Sequence, residues 1–237
     1  MLGNRIILRR GGRDEAEKPF WISFADLMTA LMVLFLLVMS VALLAVTKSI
    51  SEVEAKRVQR DAEISRLLDR IQHATARYPG VSVNRERNVI DFGDRARFDT
   101  SSYALQPDQA RLLRVFVPEV LAIARDELGR KWLKRIVVEG FTDRRGTYLF
   151  NLNLSLQRSQ RVLCTLLAAP ATGERPMRPD EQDQIRNLFL VGGYSFNSAR
   201  ESLDASRRIE LRLEFFGVDE AHSGMKAPAA VIGACGV

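Results

Sequence analysis

The residue with the clearest chemical potential is Asp26, because it stands alone in an apolar stretch. Residues 20–46 read FWISFADLMTALMVLFLLVMSVALLAV and contain no other ionisable side chain. A helix of that length measures about 40 Å, which is enough to span a hydrocarbon core of about 30 Å. A carboxylate at that depth costs on the order of 3 kcal/mol to insert, so it indicates a function. We predict a transmembrane helix in which Asp26 carries an ion.

Small polar side chains surround this carboxylate on one face of the predicted helix. Ser23, Asp26 and Thr29 follow one another at intervals of three residues, which places them along one helix face. We predict that the three side chains bind the ion together. A lone carboxylate can carry H⁺, the default, or Na⁺. The alternative is an acid that only hydrogen-bonds to a partner helix during assembly.

The charges on either side of the apolar stretch predict its orientation. Five basic residues precede it: Arg5, Arg9, Arg10, Arg13 and Lys18. Because basic flanks stay in the cytoplasm, we expect a cytoplasmic N-terminus (1–19), an uncleaved single-pass anchor in the bacterial inner membrane (20–46) and a periplasmic remainder. The net charge of +6 comes without any nucleic-acid-binding signature, so we expect no direct contact with nucleic acid.

Residues 47–80 are highly charged and contain no proline or glycine before Pro79. Apolar residues recur there at heptad-like intervals, at Ile50, Val53, Ile64, Leu67 and Ile71. We predict a helical stalk with a possible role as a plug. It could pair in parallel with a second copy of the chain, or it could be a solvated helix that pairs with nothing.

Strand-like and helix-like patterns alternate from residue 81 onward. The apolar spacing predicts strands near 81–83, 88–92, 135–140, 188–194 and 207–215, and helices over 107–124 and 154–167. The fold class is therefore α+β, with a β-α-β-α-β-β domain on a mixed sheet over residues 81–217. Residues 171–183 are expected to be a surface loop, and residues 218–237 a C-terminal tail.

The cysteines and histidines argue against a metal centre or an enzyme. The chain has two of each, and they are far apart, so a structural zinc site is not expected. No nucleophile and base stand in a catalytic pattern, so we predict a protein without catalytic residues and without an organic cofactor. Cys164 and Cys235 could form a disulfide in the periplasm, or Cys164 could be a buried small apolar residue.

The sequence around Asp26 resembles that of the MotB-type stator subunits. Residues 21–32, WISFADLMTALM, match the pattern W-x-x-[YF]-A-D-x-M-T-x-L-M. In that family the aspartate is the ion-binding residue of a rotary motor. The resemblance implies a homodimer of this chain surrounded by a multi-span membrane partner, in a ratio of five partner subunits to two copies.

A second stretch resembles the OmpA-like peptidoglycan-binding domains. Residues 138–146, VEGFTDRRG, and 151–162, NLNLSLQRSQRV, follow the pattern E-G-H-T-D-x-x-G … N-x-x-L-S-x-x-R-A-x-x-V. The resemblance implies that peptidoglycan is the ligand. Asp143 would take the ammonium and Arg158 the carboxylate of the stem-peptide diaminopimelate, with Asn151 and Thr142 as further polar contacts.

Two residues depart from that pattern, and two others are ambiguous. Phe141 replaces a histidine and Ser159 replaces an alanine, and Phe141 is the one expected to change the grip of the pocket. Asp143 and Arg158 could instead form a structural ion pair. Of Arg207 and Arg208, one is expected to support the binding loop and the other to face solvent.

Within the stator class, the chain is more similar to the ZorB subunits of Zorya anti-phage systems than to flagellar stators. The features behind this are Phe24, the absence of a tryptophan directly after Met39, the charged stalk and the compact length. The resemblance implies a ZorA-like multi-span partner and a role in defence against phage. A flagellar stator subunit and a purely structural link between membrane and peptidoglycan are the alternatives.

Overall fold

The computed structural model describes residues 14–170, 174–221 and 232–235, with side chains from residue 21 onward. Most of the predicted cytoplasmic N-terminus and much of the predicted tail lie outside the described residues. The chain forms two compact units, Met1–Arg57 and Val58–Val237.

The first unit contains most of a long helix, α1 (Asp14–Thr75). Within the described residues α1 is the one helix long and apolar enough to cross a membrane, with a window of mean hydropathy 2.8 that is 0% buried. Its large apolar side chains are exposed from Trp21 to Val46. An all-round apolar helix of this kind requires lipid or a partner helix to cover it.

The C-terminal part of α1 belongs to the second unit and contributes to its core. Ile64 is 8% exposed, Leu67 is 0% exposed and Ile71 is 1% exposed. All three pack in the same apolar cluster as the sheet. The alternative in which these three residues pair with a second copy is not the arrangement that the structure has, because the chain itself covers them. The predicted stalk is helical as far as Thr75, and from Val58 onward it belongs to the second unit.

The second unit is a five-stranded mixed sheet with helices, so the predicted α+β class is confirmed. The strands are β1 (Ser82–Asn84), β2 (Val89–Asp91), β3 (Leu133–Gly140), β4 (Phe189–Gly193) and β5 (Ile209–Phe215). Their order in the sheet is β1-β2-β5-β3-β4, in which only β3 and β4 run parallel. The helices are α2 (Pro107–Arg125), α3 (Glu127–Trp132), α4 (Tyr148–Leu167), α5 (Pro179–Leu188) and α6 (Leu203–Ser206).

The predicted loop over residues 171–183 is wrong at its end, where α5 begins. Pro179 takes the first helical position, and the Glu181 carboxylate accepts a hydrogen bond from the backbone N–H of Arg178 at 2.8 Å. Proline and acidic residues in a first turn are typical of a helix start, because they suit the unpaired N–H groups there. Prolines and charged residues are also common in loops, so the composition of this segment alone does not distinguish a loop from a helix start.

Alternation along β5 gives the sheet two different faces. Ile209, Leu211 and Leu213 join the apolar core, whereas Glu210 and Arg212 lie on the opposite face. Glu210 is fully buried there and accepts hydrogen bonds from several arginines, among them Arg208 at 2.7 Å. Because of this charged layer, the face of the sheet that points away from the apolar core is polar.

Glu63 joins the end of α1 to α3. Its carboxylate accepts hydrogen bonds from Lys131 Nζ and Trp132 Nε1, both at 2.6 Å, and the Lys131 ammonium lies 5.0 Å from the centre of the Trp132 ring. These bonds lower the pKa of Glu63 from 4.5 to about 2, and the bond from Lys131 contributes most. The ionised carboxylate therefore stabilises the folded domain.

This pKa predicts how acid weakens the domain. A lowered pKa gives a stabilising contribution that is complete above about pH 4.5 and is lost as pH falls towards 2. We expect Glu63→Gln, which cannot titrate, to reduce the loss of thermal stability over that range relative to wild type. Trp132 fluorescence reports the unfolding. Equal pH profiles for the two proteins would contradict the assigned role of Glu63.

A disulfide joins Cys164 on α4 to Cys235 in the tail, with the two Cα atoms 5.8 Å apart. Of the two alternatives for Cys164, a disulfide with Cys235 or a buried small apolar residue, the structure has the disulfide. The bond closes a loop of 71 residues and so ties the end of the chain to α4.

Candidate functional site

A pocket lies where β3 ends and α4 begins. β3 ends at Gly140, and a Cβ atom there would lie 1.9 Å from the Ser155 carbonyl oxygen, so only glycine lets the strand approach α4 so closely. The loop then turns through Gly146, with φ +91°, and Thr147 begins α4 by accepting a hydrogen bond from Phe150 N. The space between its lining atoms, together with the solvent at its mouth, is about 230 Å³. It is lined by Thr100, Ser101, Thr142, Asp143, Arg145, Phe150, Asn151, Leu154, Arg158 and Arg207.

Arg158 is fully buried at the base of this pocket, and backbone carbonyl groups hold it. It donates hydrogen bonds to the carbonyl oxygens of Phe141 (2.7 Å), Ser102 (2.9 Å) and Asp99 (3.0 Å). Its guanidinium also lies 4.9 Å from the centre of the Phe98 ring. Burial, and then the charge of Arg207, lower the pKa of Arg158 to about 10, which keeps it protonated at neutral pH. Within the described residues three of its five N–H donors make hydrogen bonds, so two are left for a ligand.

Asp143 is bound by two other arginines, Arg145 and Arg207. The Arg145 guanidinium donates to both carboxylate oxygens, at 3.2 and 2.7 Å, and Arg207 Nη1 donates to Oδ2 at 3.2 Å. The hydrogen bond from Arg145 is the main reason that the pKa of Asp143 falls to about 2. Asp143 therefore pairs with arginines outside α4, and the alternative of an ion pair with Arg158 is not the arrangement that the structure has.

Thr142 and Asn151 complete the polar lining. Thr142 is 1% exposed, and its hydroxyl has no hydrogen-bond partner within the described part of the chain. Asn151 uses its amide N–H groups to hold the loop, donating to the carbonyl oxygens of Arg145 (2.7 Å) and Thr147 (3.1 Å). The structure thus brings all four sequence-predicted binding residues, Thr142, Asp143, Asn151 and Arg158, to one pocket.

Sequence reasoning missed Arg145 and left Arg207 and Arg208 ambiguous. Arg207 supports the loop, as expected for one of the pair. The expectation that the other faces solvent is wrong: Arg208 is 2% exposed, and its guanidinium lies 4.2 Å from the centre of the Phe141 ring. Arg145 stands two residues after Asp143, a spacing at which a turn brings side chains together, and that spacing was the available signal.

Phe141, the departure from the family pattern, packs away from the pocket. Its ring stacks on Tyr194 at 5.4 Å, on a side of the loop that also carries Arg208. The second departure, Ser159, donates hydrogen bonds to carbonyl oxygens, including that of Gly192 at 3.0 Å. Both residues therefore shape the support of the loop, while the pocket lining keeps its polar groups.

The charges of the pocket favour a ligand that carries both signs. Arg145, Arg158 and Arg207 face a single carboxylate, Asp143, so the lining has a net positive charge. The spare N–H groups of Arg158 suit a carboxylate, and Asp143 suits an ammonium. Such a pocket fits an amino acid or a peptide better than it fits a neutral sugar.

The second candidate site lies on α1. Ser23, Asp26 and Thr29 are all exposed in the single chain, and the Thr29 hydroxyl donates to the Asp26 carbonyl oxygen at 2.8 Å. Because that bond uses the hydroxyl hydrogen, Thr29 keeps only oxygen lone pairs for a cation. That Ser23, Asp26 and Thr29 bind an ion therefore stays a prediction. Another molecule would have to enclose this helix surface.

Comparison with known proteins relates the membrane segment to one family and nearly the whole chain to a second protein. Residues 9–58 match the family described as membrane MotB of the proton-channel complex MotA/MotB. The Zorya protein ZorB of Escherichia coli O139:H28 (strain E24377A / ETEC) is 48% identical over 221 residues, which cover 93% of this chain and 90% of that protein.

Similar solved structures include a MotB-like protein and an OmpA-like domain. A putative MotB-like protein from Desulfovibrio vulgaris is similar over 68% of this chain and 99% of its own, with 20% identity and a TM-score of 0.44. The OmpA-like domain of FopA1 from Francisella tularensis subsp. tularensis SCHU S4 covers 58% of this chain and 82% of its own, with 15% identity and a TM-score of 0.35.

Proposed function

We propose, from the premise that this chain belongs to the ZorB family, that it is the ion-conducting, peptidoglycan-anchored stator subunit of a Zorya-type complex that powers defence against phage. The premise rests on 48% identity across nearly the whole chain. The match of residues 9–58 to membrane MotB supports the stator-like part of the proposal. The chain would act by binding and by moving an ion, not as an enzyme.

The membrane part would carry the ion on Asp26. One helix cannot enclose a pathway, and the ion-site face of α1 is exposed, so a multi-span, ZorA-like partner is required. We propose a homodimer of this chain inside five such subunits, with H⁺ as the ion and Na⁺ as the alternative. Each proton that crosses ~100 mV releases about 2.3 kcal/mol, which repeated passage would convert into rotation.

The second unit would hold the complex to the cell wall from the periplasmic side of the inner membrane. Diaminopimelate in the stem peptide presents an ammonium and a carboxylate on one carbon, which matches the two kinds of charge in the pocket. Arg158 would bind the carboxylate through its two spare N–H groups, and Asp143 would bind the ammonium. The basic residues before α1 support a cytoplasmic N-terminus.

The observation that carries the anchoring function is the unpartnered Thr142 hydroxyl beside Arg158. A buried hydroxyl without a partner costs stability, so its presence in a charged pocket indicates a ligand that completes it. We expect Thr142→Val, in the full chain in detergent, to weaken sedimentation with purified peptidoglycan sacculi about tenfold, as for one hydrogen bond to a charged ligand. The thermal midpoint should not fall, because no bond within the described structure is lost.

Thr165→Val is the matched control for this experiment. Thr165 lies on α4 outside the pocket and donates to the Arg161 carbonyl oxygen at 2.8 Å. Its substitution should leave sedimentation unchanged. Absence of wild-type protein from the sacculus pellet would contradict the anchoring function.

A further inference from the structure

We propose that Arg145 occupies the place of the ligand's ammonium group, so that a cation of its own chain must leave before the ligand binds. This inference rests on the proposed function, since it concerns how the same pocket admits diaminopimelate. It follows from the bonds that surround Asp143.

A carboxylate offers about four lone-pair positions, and in Asp143 all four are filled. Oδ1 accepts from the backbone N–H of Arg145 at 3.0 Å and from its Nε at 3.2 Å. Oδ2 accepts from Arg145 Nη2 at 2.7 Å and from Arg207 Nη1 at 3.2 Å. An incoming ammonium can therefore bind Asp143 only if it displaces one of these donors.

The guanidinium of Arg145 is the donor that can leave. Its side chain is 51% exposed, and its other hydrogen bond to a described residue is to the Thr100 hydroxyl at 3.1 Å. Arg207 is 11% exposed and donates in addition to the Phe98 carbonyl oxygen and to Asp204, so its movement would break more bonds. Water can replace the lost partners of the exposed guanidinium at little cost.

Only a ligand that carries an ammonium has to displace Arg145. A ligand with only a carboxylate could reach Arg158 but would leave the Arg145–Asp143 pair intact and gain nothing from Asp143. A ligand with an adjacent ammonium would replace the guanidinium on the same oxygens. The pair therefore lowers the affinity for every ammonium-bearing ligand by the strength of one partly exposed ion pair.

The test is the affinity of the full chain in detergent for a soluble muropeptide that contains diaminopimelate, measured by titration calorimetry. We expect Arg145→Ala to tighten binding about two- to fivefold, the range for an exposed ion pair. Arg144→Ala is the matched control, because it removes the same charge from the neighbouring exposed position. It should leave the affinity unchanged. A muropeptide with an N-acetylated diaminopimelate amine should show no gain from Arg145→Ala.

The outcomes separate this inference from the proposed function. Wild-type binding with no gain, or a loss, in Arg145→Ala overturns the role of Arg145 and leaves the anchoring function standing. An equal gain in Arg144→Ala shows a general charge effect and also overturns it. If neither wild type nor Arg145→Ala binds the muropeptide, both the inference and the anchoring function fall.

Discussion

Cells that carry the native gene neighbourhood with Asp26→Asn are expected to lose protection against phage completely. Asparagine keeps the size and hydrogen bonding of the side chain but cannot take up and release a proton. The hydroxyls of Ser23 and Thr29 cannot replace the carboxylate, and Thr29 already donates its hydrogen to the Asp26 carbonyl oxygen. Plaque counts should therefore rise to those of cells without the system.

Ser40→Ala is the control for this prediction. Ser40 is another polar residue of the apolar part of α1, and its hydroxyl donates to the Leu36 carbonyl oxygen at 2.7 Å. It should protect as wild type does, and membrane fractions should contain equal amounts of all three proteins. Protection by Asp26→Asn would rule out the ion-driven mechanism and favour a structural anchor. Restored swimming in a stator-less strain, without protection by wild type, would favour the flagellar alternative.

The membrane helix was predictable because its signal is local. A lone carboxylate within 27 otherwise uncharged residues is visible in the sequence, and the spacing of Ser23 and Thr29 follows from helix geometry. The fate of Ile64, Leu67 and Ile71 was not predictable in the same way. Heptad-like spacing shows that one helix face is apolar, but it does not show whether a second copy or the chain's own sheet covers that face.

The sheet was predictable from alternation, whereas the two shortest α-helices were not. β5 alternates between core and charged face at every position from Ile209 to Leu213, which only a half-buried strand does. α3 and α6 have six and four residues, too few to repeat an apolar face. Their stability comes from contacts with the rest of the domain, such as the bond from Trp132 to Glu63.

The pocket residues were found by resemblance, but their partners were not. Arg158 is held by the carbonyl oxygens of Asp99, Ser102 and Phe141, and any residue type supplies a carbonyl oxygen. Sequence therefore contains no signal for these contacts. A carboxylate was the only visible partner for Arg158, which is why the alternative of a pair with Asp143 arose.

Arg158→Ala is expected to cause the largest loss of stability among single changes in the pocket. It removes the donor from the carbonyl oxygens of Phe141 and Ser102 and one of two donors from that of Asp99, which also accepts from Ser102 N. At about 1 kcal/mol for each lost bond, the free energy of unfolding should fall by about 3 kcal/mol. For a domain of this size the thermal midpoint should fall by about 6–12 °C. The thermal midpoint is measured from the Trp132 fluorescence of the full chain in detergent. A Trp21→Phe background removes the other tryptophan.

Two further variants separate the effect of the guanidinium's planar hydrogen-bonding geometry from the effect of its charge. Arg158→Lys keeps the charge, but an ammonium cannot donate in three fixed directions to carbonyls on separate segments, so most of the loss should remain. Arg161→Ala removes an arginine one turn away on α4, where the guanidinium lies 5.6 Å from the centre of the Tyr103 ring, and should cost less than about 1 kcal/mol. Equal midpoints for Arg158→Ala and Arg161→Ala would mean that water satisfies the three carbonyls. Arg158 would then serve the ligand alone, and the loop that carries Asp143 would have to be held by Asn151 and Arg207 instead.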